Sequence, residues 1–265
     1  MSQGLLYMIN IIRTGLDASN KEISTISHNL ANGSTIGFKR SSAAFTDAYS
    51  QQIERRSSID VGLGTRFVSA QRNHQQGSFI QTNGALDIAI NGNGFFLAKA
   101  LDGSITYTRD GSFTMDSEGN IISSKGDKIL SEIGADLKIP FQVRNNKDEV
   151  ESLAEVRIDE NGAVNSIYSN GSATVVGNVG LAIFANETAL KQVGMNQYKP
   201  TPISGAARIG IAGEKNFGRI QSGALEASNT DATAEMAKMI KAQQAFSGSS
   251  RMLQAEADIS KRLMG

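Results

Sequence analysis

The sequence predicts an α+β chain: long N- and C-terminal helices packed as a coiled-coil-like pair, with an all-β domain inserted between them. Three observations carry this expectation. Aliphatic residues near the start recur at heptad spacing, a second helical rhythm fills the last part of the chain, and the stretch between them changes period. There, short β-type runs alternate with Gly, Asn and Asp turn signals, which is the pattern of hairpins.

In the first helix, Leu5, Ile9, Ile12, Leu16, Ser19, Ile23, Ile26 and Leu30 follow one another by alternating steps of four and three. That rhythm suits a helix packing along another helix, and an ordinary amphipathic core helix shares it. Arg13, Asp17, Asn20, Lys21 and Asn29 occupy the other face. Asn32 and Gly33 suit the helix end, where left-handed backbone is common. Residues 34–75 read as an extended connector with short strands, and residues 76–204 as the β-rich domain. "KPTP" at Lys199–Pro202 marks the exit from it, since proline fits neither a helix interior nor a central strand. Residues 205–221 read as a second connector.

The C-terminal segment, 222–265, offers Ser228, Asn229 and Asp231 as helix N-caps and Glu235 in an early turn, where its charge is favourable. Met239, Phe246 and Leu253 recur every seven residues, as do Met252 and Ile259, while Gln243, Gly248 and Ser250 weaken the stripe. Segments 1–33 and 222–265 are therefore expected to form one terminal helical unit. Burying these side chains offsets only part of the entropy lost in ordering two long helices. The pair needs more neighbours, and identical chains would supply them. The expected interface is Leu5, Ile9, Ile12, Leu16, Ile23, Ile26 and Leu30 against Met236, Met239, Ile240, Phe246 and Leu253 and against neighbouring copies.

Chemistry is harder to find. Lys and Arg total 26, and so do Asp and Glu. No cationic excess exists to displace counterions, which argues against a nucleic-acid partner. With no cysteine there is neither a disulfide framework nor a thiolate metal site. His28 and His74 stand in different contexts, one at a helix end and one in a polar run, and no Gly-x-Ser-x-Gly elbow is present. "GNGFFL" from Gly92 and "GLGTRF" from Gly62 lack the helix that a phosphate-binding loop requires. "DSEGN" from Asp116 and "DENGAV" from Asp159 read as hairpin turns, and nothing distinguishes Asp110, Asp116 or Glu118 as catalytic carboxylates. No catalytic, cofactor-binding or metal residue is assigned, and no cofactor is expected. The longest apolar run, Leu5–Ile9, is far short of the roughly 20 residues of a membrane span. The start also lacks the features of a cleavable signal peptide.

Four ordered stretches carry a resemblance. "NLANGSTIGFKR" is similar to the N-terminal signature of the flagellar rod and hook proteins, with Asn29, Leu30, Ala31, Asn32, Thr35, Gly37, Phe38 and Lys39 matching it. "GLGTRF…QQGSFIQTNGALDIAINGNGFF", "YTRDGSFTMDSEGNII" and "SGALEASNTD…MIKAQQAF" agree in the same order. The resemblance implies an axial structural protein, exported without a cleaved signal. Terminal helices of many copies pack as tubes, and the β domain forms the outer wall. It implies as partners further copies of the chain, other rod and hook proteins, and ring (bushing) proteins around a periplasmic rod. The motif Asn29, Asn32, Thr35, Gly37, Phe38 and Lys39 would end the first helix and turn the chain outwards, with Phe38 anchoring the connector. The length and "INGNGFF" look most like distal rod members. The short stretch between Phe45 and Gly62 leaves a hook protein or a proximal rod subunit as alternatives.

Overall fold

The computed structural model describes residues 2–54, 57–144 and 150–264; the side chains of residues 2–7, 48–54, 57–61, 63, 260, 263 and 264 lie outside the description. The described chain contains two α-helices, α1 (Ser2–Ala31) and α2 (Ala232–Met264), and nineteen strands. It divides into two compact units. The first is residues 1–33, 40–73 and 230–265; the second is residues 34–39 and 74–229.

In the first unit, β1 (Ser41–Glu54) and β2 (Ser57–Arg72) make a long antiparallel hairpin, with Ser41 opposite Arg72 and Glu54 opposite Ser57. Phe45 and Phe67 pair across it edge to face, ring centroids 5.9 Å apart. The hairpin lies against α1, where Gly64 (φ 91°) brings its backbone so close to Thr14 that a Cβ would collide with the Thr14 hydroxyl. The two helices run antiparallel: Asn29 bonds Glu235 at one end, and Gly15 packs against Ser249 further along. Asp231 caps α2, its Oδ1 accepting from the amides of Thr233 (2.9 Å) and Ala234 (3.1 Å).

This corrects the predicted fold class. The two terminal helices and a β-rich middle are present, but the helices do not form a coiled-coil-like pair by themselves, because α1 divides its surface between α2 and the hairpin. Heptad positions 235, 242, 249 and 256 of α2 are filled by Glu235, Ala242, Ser249 and Glu256, and among the described side chains of α1 the buried ones are Ser19, Ile26 and Asn29. Small and polar side chains allow close approach at these positions in place of aliphatic knobs. The spacing was visible in the sequence; the role of each position was not. A second correction concerns the end of α1. Neither Asn32 nor Gly33 adopts positive φ, and the left-handed residue is Gly37 at φ 65°. Asn32 serves the helix end differently, donating Nδ2 to the His28 carbonyl at 2.8 Å.

The second unit is built around the strand Phe95–Lys99, which is buried on both faces. Side chains alternate along a strand. Phe95 and Leu97 therefore join Tyr107, Leu130, Ala182, Phe184 and Tyr198, while Phe96 and Ala98 enter the larger core with Ile88, Ile90, Phe113, Ile129 and Leu181. The strand pairs antiparallel with Ile105–Thr108, Lys128–Ile129 and Leu181–Ile183 within a nine-stranded sheet. A four-stranded antiparallel sheet spans Gln142–Arg144, Val150–Ile158, Ala163–Tyr168 and Ala173–Asn178. Two short pairs, Ile88–Asn91 with Arg219–Ser222 and Phe79–Gln81 with Ala224–Glu226, join the beginning of this unit to its end.

Candidate functional site

The residues of the sequence motif fall in both units. In the first unit Asn29 is 1% exposed and binds three ways: Nδ2 donates to the Ser41 carbonyl (2.7 Å) and to Glu235 Oε2 (2.9 Å), and Oδ1 accepts from the Ser41 amide (2.8 Å). One side chain thus ties the end of α1 to the start of β1 and the first turn of α2. The buried Glu235 carboxylate also receives Lys238 at 2.6 Å, with Arg40 at 3.8 Å.

In the second unit Gly37 has no room for a side chain: a Cβ would stand 2.7 Å from the carbonyl carbon of Arg109. Its amide donates to the Glu226 carbonyl at 2.8 Å, and the Thr35 carbonyl accepts from the Phe38 amide at 3.3 Å. Phe38 is buried, its carbonyl accepting from the Asn229 amide. Lys39 is buried as well, so the motif cation is not a surface charge. Its Nζ lies 2.6 Å from Glu226 Oε1 and donates to the Gln75 carbonyl at 2.8 Å. Glu226 Oε1 also accepts the Gly77 amide, and Oε2 lies 3.4 Å from Arg109 Nη1. Arg109 donates Nη2 to the Gly92 carbonyl and packs over the Phe95 ring, 5.2 Å from its centroid.

Two cations surround one carboxylate in a dry interior. Burial lowers the Lys39 pKa despite the Glu226 partner, and burial likewise lowers that of Arg109. Half-buried Glu187 lies in the field of both cations, yet desolvation still raises its pKa above the ordinary glutamate value. This cluster holds segments of the unit together, and every strong polar contact in it is internal. Sequence reasoning placed Lys39 but missed Glu226 and Arg109. His74 also departs from the polar setting its neighbours suggested, packing edge-on against Phe95 (5.6 Å) and Tyr198 (5.4 Å).

The expected interface residues occupy three kinds of position. Ile26 is buried; Ile9, Ile12, Leu16, Ile23, Leu30, Met239, Phe246 and Leu253 are half-buried; Met236 and Ile240 are exposed. The side chain of Leu5 lies outside the described residues. Exposed apolar side chains that the interface expectation did not include are Met8 and Ile11 on α1 and Met252 and Ile259 on α2. Among the described residues, no three His, Asp or Glu gather as metal ligands, and no helix is long and apolar enough to cross a membrane.

Internal polar locks together with apolar helix surface left in water define a structural component built for assembly. Residues 89–166 match the flagellar hook protein FlgE/F/G D1 domain, and residues 221–265 match the flagellar basal body rod FlgEFG protein C-terminal family. The chain is 34% identical to the flagellar basal-body rod protein FlgG of Buchnera aphidicola subsp. Acyrthosiphon pisum, over 96% of each chain. It is 32% identical to that of Agrobacterium fabrum over 92% of each, and 30% identical to that of Bacillus subtilis over 95% of each. The chain belongs to the flagellar basal-body rod protein family and is most like FlgG. It is accordingly a structural subunit of the flagellar rod, and the distal rod reading is favoured over hook or proximal rod.

Proposed function

We propose that the chain polymerises with copies of itself, and meets other axial proteins of the flagellum, through its two terminal helices, forming a rod that carries torque from motor to hook. The observation that carries this reading is the exposed apolar surface of those helices. Met8, Met236, Ile240, Met252 and Ile259 are each at least half exposed in a single copy. At roughly 25 cal/mol per Å² of apolar surface, covering such side chains is a strong drive to associate. On this reading Leu5, Ile9, Ile12, Leu16, Ile23, Ile26, Leu30, Met236, Met239, Ile240, Phe246 and Leu253 lie at or beside the contact. Residues 1–33 and 222–265 form the axial part, residues 76–204 the outer part, and residues 34–75 and 205–221 connect them.

The outer surface is proposed to meet the ring proteins around a periplasmic rod. No catalytic role is proposed. Asp110 Oδ1 is engaged by the amide and hydroxyl of Ser112, and Glu118 sits exposed in a hairpin turn. The test is Ile240→Asp. Sedimentation should show loss of the large species formed by the parent chain, with the circular dichroism of the β-rich unit unchanged. Undiminished assembly by this variant would refute the reading.

A further inference from the structure

The chain has eight methionines and no cysteine, so thioethers are its only sulfur groups. Among the described side chains, Met8, Met195, Met236 and Met252 are 52%, 64%, 52% and 61% exposed, whereas Met115 and Met239 are half-buried. Three of the exposed sulfurs lie on the terminal helices, Met8 on α1 and Met236 and Met252 on α2. The fourth, Met195, lies in the β-rich unit, in the turn between the strands Lys191–Gly194 and Gln197–Lys199. One reactive group is thus displayed on both units, but only its helix members sit in the apolar surface read above as the place where copies join.

Hydrogen peroxide is small and uncharged, and it reaches a thioether that stands in water. The sulfur lone pair attacks one peroxide oxygen, and the S–O bond forms as the O–O bond breaks. The departing hydroxide takes up the remaining proton as water. Sulfur is oxidised by two electrons and the peroxide is reduced, turning a flexible apolar side chain into a polar sulfoxide. In a free copy the new oxygen stays hydrated, so the fold tolerates it. Where a neighbour covers the side chain, that oxygen loses its water and meets apolar partners, which is costly. Ile240 and Ile259 share the exposed apolar surface of α2 and are inert to peroxide, so the sensitivity is confined to the sulfur positions.

We propose that Met8, Met236 and Met252 form a peroxide-sensitive gate on assembly. Oxidised to sulfoxides in the free chain, they bar it from joining other copies until a methionine sulfoxide reductase restores the thioethers. This rests on the assembly reading above and adds a chemical condition to it.

The purified full chain tests the gate without substitution. It is partly oxidised with hydrogen peroxide, allowed to assemble and sedimented, and the pellet and supernatant are mapped by peptide mass. Met8, Met195, Met236 and Met252 should gain oxygen before Met115 and Met239. Sulfoxide at the three helix positions should be enriched at least about tenfold in the supernatant, while that at Met195 divides evenly. The supernatant chain should keep the circular dichroism of the parent, and treatment with the reductase and a dithiol should return it to the pellet. Even division of the helix sulfoxides, loss of helix on oxidation, or no return after reduction would overturn the gate and leave the assembly reading intact. So would a Met8→Leu/Met236→Leu/Met252→Leu chain that assembles and then loses assembly to peroxide as readily as the parent. An unoxidised parent chain that never assembles would remove both.

Discussion

Glu226 meets cations that lie 187 and 117 residues away in sequence, Lys39 and Arg109, in a place water does not reach. Removing one member of a buried pair is costly because its partner keeps the desolvation penalty. Lys39→Met should therefore lower the stability of the β-rich unit by about 3 kcal/mol, read as a shift in its urea midpoint. Glu187 acts in the opposite sense. Its raised pKa means that the folded chain binds this proton more tightly than the unfolded chain does. Its ionisation subtracts stability as pH rises from the ordinary glutamate value through the folded one, and the cost is absent below both. Glu187→Gln should accordingly raise the urea midpoint near about pH 7 and leave it unchanged near about pH 4. A larger gain at the acid end would show that the two cations, and not burial, govern this carboxyl.

Among the elements, the contrast between expected and observed helix packing gives a direct experiment. Ala242 is 2% exposed on the ridge of α2 that faces α1. A leucine would suit an aliphatic knob position, but where small residues set the spacing it overpacks. Ala242→Leu should cost about 1–3 kcal/mol, measured as earlier thermal loss of helical circular dichroism. Both helices were legible in the sequence because a heptad stripe persists through many turns. The β1–β2 hairpin was not, because "SSAAFTDAYSQQIE" shows little apolar alternation. Its pairing instead depends on β2 and on α1, which no local pattern reports. Likewise Asn29 and Lys39 stood out only as members of a motif. Their partners Glu235 and Glu226 lie near the far end of the chain, and burial turned residues that look like surface groups into internal locks.

For the whole molecule, the account comes down to apolar helix surface that one copy leaves uncovered. In the β-rich unit two apolar clusters flank the strand Phe95–Lys99, and Glu226 is paired with Lys39 and Arg109. In the helical unit Met236, Ile240, Met252 and Ile259 remain in water. Association should therefore require the helices and show a threshold concentration, as growth from repeated identical contacts does. Electron microscopy of the purified full chain over a concentration series examines this most directly. Straight tubes should appear above a threshold concentration in the parent chain. A stably folded monomer at every concentration, with its helices formed and no tubes, would contradict the account.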